Sequence, residues 1–572
     1  MKTVILLLLS GLIVSARVGA QQLPVKEEHQ IDSVSIKGKD GVIISAVVVR
    51  KVGVEQPLPT ALTFTIYADE KSVNRAKIAA AHGYVGVVGF SRGKGWSPEM
   101  IAPYEHEAED VNSVIDWIVH QSWSNGKVGM YGGSYDGFAQ WAATKKLHPA
   151  LKTIVPYVAA IPGIGLPMEN NIFLNANYGW AFYTTNNKSL DNKVYNDPAR
   201  WRTMENKWFN SGTAYRKIDS IDGVPNPWLQ RWLEHPDYDA YWQAMVPYGK
   251  EFANINIPVL TIEGYYDDGQ ISGLRYLQEH YKYNPQAAHY LVIGPYDHFG
   301  AQRGGTPQLR GYTVDSVALI NTNELTFEWL DYILRDGKKP SLLKDKINFE
   351  VMGANEWRHV SSMDKMNNDT LTFYLSDKSS HGMYTLSPKQ PAIGRYLSQT
   401  VDLSDRTTYL NDYYPFPIIR DSLDIDNGLY FLSDPLEKSI DVNGSFTGNL
   451  QASINKRDMD IGVVLYEVRG DGSYFNLSYY LGRASYAKDM TRRNLLHPGK
   501  METIPFSRTR MVSKRLQKGS RLLVVLNVNK NPFAQINYGT GKDVSEETIQ
   551  DAGAPLKIKW YSGSYIKIPV WK

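Results

Sequence analysis

A glycine-rich turn that carries a serine constrains this chain more than any other sequence feature. A predicted strand, residues 128–131, runs into Gly132-Gly-Ser134-Tyr-Asp136-Gly137, and a predicted helix follows from about Phe138. This succession projects the serine oxygen beyond the strand end, as a nucleophile elbow requires. Asp136 stands where a G-x-S-x-G pattern has its second glycine. On this motif alone, an ordinary strand–turn–helix with a capping serine remains the alternative.

Predicted strands and helices alternate over the first 340 residues. The short apolar or alternating runs that predict strands are residues 31–36, 42–49, 61–67, 84–88, 259–263 and 290–293. Apolar residues at helical spacing predict an amphipathic helix, and its buried stripe consists of Ala108, Val111, Val114, Ile115 and Ile118. A further helix is predicted around residues 325–334. This alternation predicts an α/β core, with a mostly parallel sheet covered on both faces.

The pattern changes twice along the chain. Between residues 157 and 242 aromatic side chains are denser than the 12% of the whole chain, which predicts a helical insert that walls a substrate pocket. After the polar breaker at residues 335–340, short strands dominate, among them residues 347–351, and predict a β-sandwich. We therefore expect an α/β core at residues 21–156 and 251–340, a cap at 157–250 and an all-β domain at 341–572.

The N-terminus reads as a secretory signal peptide. Lys2 precedes an apolar run at residues 4–14, and Val18-Gly-Ala20 offers small residues for cleavage before Gln21. We therefore expect residues 1–20 to be removed and the protein to be periplasmic or secreted, without stable membrane insertion. An uncleaved N-terminal anchor is the alternative.

Charge and cysteine content exclude several functions. The 62 Lys and Arg residues against 59 Asp and Glu residues leave a net charge of +3, so no strong field would recruit nucleic acid. The chain has no cysteine, which excludes disulfides, a thiol nucleophile and cysteine-ligated metals. No H-E-x-x-H or comparable ligand pair suggests a catalytic metal, and Glu105-His106-Glu107 is expected to be a solvated helix start. We expect no metal and no cofactor.

Two later strand ends supply partners for the serine. Predicted strand 259–263 leads into Gly264-Tyr-Tyr-Asp267, and predicted strand 290–293 leads into Gly294-Pro-Tyr-Asp-His298. A serine nucleophile needs a base that an acid holds in place, and in this strand–helix architecture the chain order is Ser, acid, His. Taken singly, each Asp reads as a turn residue and His298 as a surface histidine. Their joint occurrence in this order predicts the triad Ser134, Asp267 and His298.

The motifs together resemble a known family. The chain is similar to the cocaine esterases, cephalosporin (glutaryl) acylases and α-amino-acid ester hydrolases, which are related to the Xaa-Pro dipeptidyl-peptidases. Besides the three catalytic loops, the matching stretches are Gly83-Tyr-Val85 through Arg92-Gly93, Trp123-Ser-Asn-Gly-Lys-Val-Gly129, His148-Pro-Ala-Leu-Lys152, His235-Pro-Asp-Tyr-Asp-Ala-Tyr-Trp242 and Met352-Gly-Ala-Asn-Glu-Trp357. In this family the glycine three residues after serine is normal, which accounts for Gly137.

The resemblance implies the fold and the oxyanion hole. It implies an α/β-hydrolase fold with a helical cap insertion and a C-terminal jelly-roll sandwich. It also implies that the backbone N–H of Tyr135 and the hydroxyl of Tyr67 bind the oxyanion, although Phe64-Thr-Ile-Tyr67 replaces the usual Arg-x-Pro-Tyr. Two such donors are a large electrostatic contribution to acyl transfer.

The resemblance also bears on the substrate. The α-amino-acid ester hydrolases hold a substrate ammonium with a carboxylate cluster, and the matching places here are Gly269, Gln270 and Asn170 or Asn171. Asp268 and Glu169 lie next to these places and, with Trp180 of the cap, are the substrate-binding candidates. We therefore expect a neutral acyl pocket that does not require an amine.

Three functions compete at this point. The first is a serine hydrolase that cleaves a small ester or amide, as an esterase or acylase, through an acyl-enzyme. The second is an exopeptidase of the Xaa-Pro dipeptidyl type that acts on short peptides. The third is a noncatalytic protein that binds carbohydrate or a surface through its β-sandwich. The complete triad favours an enzyme over the third. A homo-oligomer is compatible with the sequence.

Overall fold

The computed structural model describes residues 28–380, 382–392, 394–424 and 428–572. The predicted signal peptide, residues 1–20, lies outside the described residues. No helix in the described ranges is both long and apolar enough to cross a membrane.

A ten-stranded sheet carries the first part of the described chain. Its strands are β1 His29–Lys37, β2 Ile43–Lys51, β3 Leu58–Thr65, β4 Val85–Phe90, β5 Ser124–Gly133, β6 Leu151–Tyr157, β7 Val259–Gly264, β8 His289–Gly294, β9 Ile347–Val351 and β10 Glu356–Val360. Their spatial order is β1-β2-β4-β3-β5-β6-β7-β8-β9-β10. The pairs from β4 to β9 are parallel, whereas β1, β2 and β10 pair antiparallel with their neighbours. β4 and β7 are buried throughout, as expected for strands covered on both faces.

Helices cover the two faces of this sheet. The α-helices of the described residues are α1 Lys71–Ala81, α2 Glu107–Val119, α3 Tyr135–Thr144, α4 Ala176–Thr185, α5 Asn192–Tyr195, α6 Pro198–Ser211, α7 Ile218–Asp222, α8 Pro227–Leu233, α9 Ala240–Gln243, α10 Gln270–Tyr283, α11 Gly300–Arg303 and α12 Thr322–Leu334. Tyr131 of β5 contacts both Arg75 of α1 and Phe327 of α12, which places these helices on one face. On the other face, Trp141 of α3 stacks on Tyr276 of α10 with ring centroids 4.5 Å apart. The predicted α/β-hydrolase architecture is confirmed, and α4–α9 form the cap between β6 and β7.

The C-terminal part of the chain is an all-β sandwich, as predicted. Its strands are β11 Asp369–Ser380, β12 Met383–Ser387, β13 Tyr396–Val401, β14 Ile419–Arg420, β15 Leu429–Leu432, β16 Ile440–Ser445, β17 Thr447–Ile454, β18 Asp460–Val468, β19 Tyr474–Arg483, β20 Glu502–Phe506, β21 Met511–Leu516, β22 Arg521–Val528, β23 Leu556–Tyr561 and β24 Tyr565–Trp571. One set of contacting buried side chains runs from Ile44 in the sheet through Trp232 in the cap to Leu526 in the sandwich. The three parts therefore share a continuous core.

One strand lies in a different layer from the one predicted. Residues 347–351 were expected to begin the sandwich, but β9 pairs in parallel with β8, with Ile347 opposite Leu291 and Phe349 opposite Ile293. All five residues of β9 are buried, because the strand extends the sheet beneath the sandwich. A short apolar run looks the same in either layer, so the sequence could not assign it. The domain boundaries themselves stay a prediction.

Candidate active site

The turn after β5 holds Ser134 in a strained backbone conformation. Its φ of 62° and ψ of −118° lie in a region that residues with a side chain rarely adopt. Two glycines make room for the turn, because a Cβ on Gly132 would lie 2.7 Å from Asp136 Cβ and one on Gly133 would lie 2.4 Å from the Gln302 side chain. The Ser134 N–H donates to the Tyr157 carbonyl at 2.9 Å. The strand–turn–helix context predicted for Ser134 is therefore present.

Asp136, which replaces the expected glycine, has a partner of its own. It is buried, and its Oδ2 lies 2.7 Å from Arg75 Nη1 of α1. The position that must be small is instead Gly137, since a Cβ there would lie 2.8 Å from Ala159 Cβ. The departure from G-x-S-x-G thus moves the small residue by one place and leaves the turn intact.

The loops after β7 and β8 bring Asp267 and His298 together. Gly264 lies opposite Gly294 in the parallel register, so the two loops leave the sheet side by side. His298 Nδ1 lies 2.6 Å from Asp267 Oδ1, and the Asp267 side chain is fully buried. Burial opposes the charged form of His298, but the Asp267 carboxylate outweighs it and raises the pKa of the imidazole above its ordinary value. This pairing is the one that a general base and its orienting acid require.

One side chain, Gln302, lies next to both the Ser134 turn and the His298 loop. Gln302 of α11 packs against Gly133, the residue before the serine, and its Nε2 donates to the His298 carbonyl at 2.8 Å. The loop of the predicted base is therefore tied to the turn of the predicted nucleophile.

The sandwich fixes the loop of the predicted acid. The Tyr266 hydroxyl donates to the Asn476 carbonyl at 3.0 Å. The Gln270 side chain bonds both backbone groups of Met511, with its Nε2 donating to the carbonyl at 2.9 Å and its Oε1 accepting from the N–H at 2.6 Å. Asp267 lies between these two anchors. The C-terminal domain therefore helps to position the loop of the predicted acid.

Tyr67 lies just beyond β3, next to Ser134 and Trp180. Trp180 Nε1 donates to the Tyr67 hydroxyl oxygen at 2.9 Å. Burial raises the pKa of Tyr67 to about 12, although hydrogen bonds with Trp180 and Ser134 partly offset it. A tyrosine with this pKa keeps its proton at neutral pH, and the indole occupies an acceptor position, which leaves the O–H able to donate elsewhere. Trp180 thus lies at the predicted oxyanion hole, as a neighbour of Tyr67.

Glu107 differs from the solvated helix start that was expected. It is 2% exposed, and the Tyr135 hydroxyl donates to its Oε1. Burial raises the pKa of Glu107 to about 7, and the hydrogen bond from Tyr135 opposes that rise. The sequence held a signal for this burial, because Glu107 lies four residues before Val111 and seven before Val114, on the same helix face.

The two acidic substrate-binding candidates have partners in the protein. Both carboxylate oxygens of Glu169 lie 2.8 Å from Arg510, and the pair is buried, with side-chain exposures of 1% and 5%. Asp268 is exposed, and its Oδ1 accepts from the Tyr414 hydroxyl at 2.7 Å and lies 3.6 Å from Arg310. Glu169 therefore differs from expectation, because its charge is neutralised by a residue that sequence reasoning did not single out.

The amides at the other matching places are also occupied. Asn170 Nδ2 donates to the Leu481 carbonyl at 2.6 Å, and its Oδ1 accepts from Arg508. Asn171 Nδ2 donates to the carbonyls of Pro236 and Met490. In the described part of the chain, no group of three or more His, Asp and Glu side chains could hold a metal ion.

Comparisons with known proteins identify the family and the fold. The family model of the X-Pro dipeptidyl-peptidase (S15 family) matches residues 40–300, and that of the X-Pro dipeptidyl-peptidase C-terminal non-catalytic domain matches residues 338–556. Cocaine esterase from Rhodococcus sp. (strain MB1 Bresler) is 23% identical over 555 residues, which cover 91% of this chain and 94% of that protein.

Two solved structures share the fold over nearly the whole chain. An α-amino acid ester hydrolase superposes with a TM-score of 0.78 at 20% identity, covering 98% of this chain and 100% of that one. An aminopeptidase from a marine sediment archaeon, Thaumarchaeota archaeon, superposes with a TM-score of 0.80 at 19% identity, covering 98% and 99%.

The fold and the family matches define the class of this protein as a serine hydrolase with an α/β-hydrolase domain and a C-terminal β-sandwich. Within that class, the chain belongs to the S15 family of X-Pro dipeptidyl-peptidases and related esterases. The family predicted from the motifs is thus confirmed.

Proposed function

We propose that this protein is an exported hydrolase that cleaves a small ester or amide through an acyl-enzyme on Ser134. The observation that carries the proposal is the 2.6 Å contact between His298 Nδ1 and the buried Asp267 carboxylate, on a loop tied to the Ser134 turn. An orienting acid, an imidazole base and a serine nucleophile are the three parts that acyl transfer to a serine needs.

The reaction follows from these positions. His298 Nε2 accepts the Ser134 hydroxyl proton as Oγ attacks the substrate carbonyl, and Asp267 stabilises the imidazolium that forms. The Tyr135 N–H and the Tyr67 O–H stabilise the oxyanion of the tetrahedral intermediate. His298 then donates its proton to the leaving alcohol or amine, which leaves an acyl ester on Ser134. Water, deprotonated by His298, attacks this ester and releases the acid and the free serine.

The acyl side of the site favours neutral substrates. A buried ammonium loses its hydration and needs free carboxylates to replace it. Here Glu169 is paired with Arg510, Asp268 has Tyr414 and Arg310 as neighbours, and the Gln270 side chain is bound to Met511. We therefore infer that the enzyme does not require an α-amino group on the acyl part, and that a phenylacetate ester serves at least as well as the matching phenylglycine ester.

Xaa-Pro dipeptidyl-peptidase activity is the second candidate. The descriptions of both family models favour it. Such a peptidase holds the amino terminus of its peptide, and Glu169, the buried acid among the substrate-binding candidates, is already paired with Arg510. We therefore rank it below hydrolysis of a simple ester or amide.

A substrate panel on the purified protein tests the proposal and separates the two candidates. It compares aryl esters, simple anilides and Xaa-Pro-anilides, with Ser134→Ala as the matched control. We expect the wild type to hydrolyse aryl esters with the highest kcat/KM and Ser134→Ala to be inactive. A clear preference for Xaa-Pro-anilides would establish the peptidase, and equal turnover by Ser134→Ala would refute the assignment of the nucleophile.

Export rests on residues 1–20 and has its own test. Expression of the full chain in a bacterial host, followed by N-terminal sequencing of the active protein, should give a chain that begins at Gln21 and is found outside the cytoplasm. A cytoplasmic protein that retains Met1 or Lys2 would contradict export.

A further inference from the structure

A buried carboxylate lies behind the turn that carries Ser134 and takes no part in the reaction described above. Glu107 is the first residue of α2, and its Oε1 accepts from the Tyr135 hydroxyl. The oxygen of that hydroxyl also accepts from the Tyr104 N–H at 3.1 Å, and Ser91 Oγ lies 3.4 Å away. The phenol of Tyr135 is therefore fixed from three sides.

The backbone around this contact is also strained. Tyr104 is buried and has a φ of 73°, in the left-handed region that residues with a side chain rarely adopt. In this conformation its N–H points at the Tyr135 hydroxyl. Strain of this kind persists only where surrounding contacts hold it in place, and it is concentrated near functional sites.

Tyr135 connects Glu107 to both donors of the proposed oxyanion hole. Its backbone N–H is one donor, and it is the first residue of α3, directly after Ser134. Its ring packs edge-on against Tyr67, with centroids 6.2 Å apart, and stacks with Trp180 at 5.9 Å. A shift of the Tyr135 ring would therefore displace its own N–H and the Tyr67 hydroxyl together.

Anchoring of α2 alone does not account for Glu107. The first turn of this helix is already tied by Asp110, whose two carboxylate oxygens lie 2.6 Å and 3.1 Å from the Arg92 guanidinium. A buried carboxylate is costly unless its hydrogen bonds repay the cost. Glu107 Oε2 also accepts from the neighbouring His106 N–H at 3.3 Å, but the bond from the Tyr135 hydroxyl is the contact that reaches the Ser134 turn.

From these contacts we propose that Glu107 is a positioning residue of the oxyanion hole. It acts through the Tyr135 hydroxyl, and it holds the Tyr135 N–H and, through ring packing, the Tyr67 hydroxyl where the oxyanion forms. This inference rests on the proposed acyl-transfer function. A pre-formed hole stabilises charge that develops only in the transition state, so its misplacement lowers kcat more than it raises KM.

A double-mutant cycle tests the proposal. The variants are Glu107→Ala, Glu107→Gln, Tyr135→Phe and the double variant Glu107→Ala/Tyr135→Phe, with the exposed Glu109→Ala of the same helix turn as control. We expect Glu107→Ala to lower kcat by about 10–100-fold with KM changed by less than about twofold, since complete loss of one oxyanion donor costs about 10²–10³. Glu107→Gln keeps an acceptor oxygen and should restore most of the rate. Glu109→Ala should match the wild type.

The cycle also shows whether Glu107 acts through Tyr135. In the Tyr135→Phe background the Glu107→Ala change should cost far less than in the wild type, because the two residues share one contact. Fully additive losses, or a Glu107→Ala enzyme with wild-type kcat, would overturn the proposal. If Glu107→Ala does not fold, Tyr135→Phe decides, because it removes the same contact: it should lower kcat with KM nearly unchanged, and a wild-type kcat would overturn the proposal. Absence of any activity in the wild type would instead refute the proposed function.

Discussion

Two regions of the molecule use buried carboxylates in opposite ways. The first is the strand ends that carry Asp267 and His298, and the second is the acyl-side wall formed by Glu169 and Arg510. Asp267 is fully buried, with one oxygen on His298 and the other, Oδ2, without a hydrogen-bond partner among the described residues. Glu169 is equally buried, but both of its oxygens are bound by Arg510, which also stacks on Tyr479 with its guanidinium 3.8 Å from the ring centroid. The Asp267 carboxylate can therefore stabilise a proton that His298 gains, whereas the Glu169 carboxylate is held in its ion pair with Arg510.

Under the proposed function, this difference separates Asp267, which serves the reaction, from Glu169, which serves the fold. A buried ion pair costs most of its Coulombic energy in lost hydration and gives stability only while both partners are present. The Asp267–His298 contact couples to a group, the imidazole, whose charge changes during turnover. Substitutions should therefore lower activity at the strand ends and stability at the wall.

The largest expected effect is on turnover at the strand ends. His298→Ala removes the general base and should lower kcat on the order of 10⁶-fold, as removal of a triad member does when the members act as a unit. The thermal unfolding midpoint should fall less than in a variant of the Glu169–Arg510 pair, because burial raises the pKa of Asp267 and the carboxyl can take up a proton once the imidazole is gone. Steady-state ester hydrolysis and a thermal melt measure the two quantities. Retention of more than about 1% of the activity would contradict the assignment of the base.

Substitution in the acyl-side wall should lower stability rather than activity. Glu169→Gln leaves the buried Arg510 guanidinium without its carboxylate and should lower the free energy of unfolding by about 3–5 kcal/mol. The matched control is Asp268→Asn, which changes an exposed acid next to Asp267 and should cost less than about 1 kcal/mol. Denaturant titration of the three proteins measures these values. A Glu169→Gln protein as stable as the wild type would break the distinction between the two regions.

The positions of the proposed triad residues could be predicted from sequence, because each of them follows a predicted strand. Parallel strands end at the same edge of the sheet, and the structure has Ser134, Asp267 and His298 after β5, β7 and β8. The wall could not be predicted in this way. Arg510 lies 341 residues beyond Glu169 in the chain, and Tyr414 lies 146 residues beyond Asp268. Only tertiary packing brings these pairs together, and nothing in their local sequences marks them.

Removal of one oxyanion donor should cost less than loss of the base. Tyr67→Phe keeps the ring packing against Tyr135 and removes the hydroxyl, so kcat should fall about 10²–10³-fold with little change in KM. Parallel kinetics of Trp180→Phe report on the indole N–H that donates to the same hydroxyl. If Tyr67→Phe retains the wild-type kcat, the second donor is another group.

The smallest expected effect is a shift in the pH dependence of kcat/KM. His298 must be neutral to accept a proton, and its pKa lies above the ordinary 6.5 because the Asp267 carboxylate outweighs the effect of burial. The kcat/KM should therefore fall as the pH drops through a midpoint above 6.5. The same fall in kcat/KM at low pH should persist in Glu107→Gln. This variant removes the Glu107 carboxyl, whose pKa of about 7 would otherwise be a second source of the pH dependence. A midpoint below 6.5 would contradict the coupling of His298 to Asp267.

Covalent labelling of Ser134 tests the central claim most directly. An active-site fluorophosphonate phosphonylates a serine only when a base and an oxyanion hole activate it. The account predicts one adduct per chain, located by mass spectrometry on the peptide that contains Ser134, absent in Ser134→Ala and strongly slowed in His298→Ala. No adduct on the folded wild type, or an adduct on another residue, would contradict the account and would favour a noncatalytic binding function.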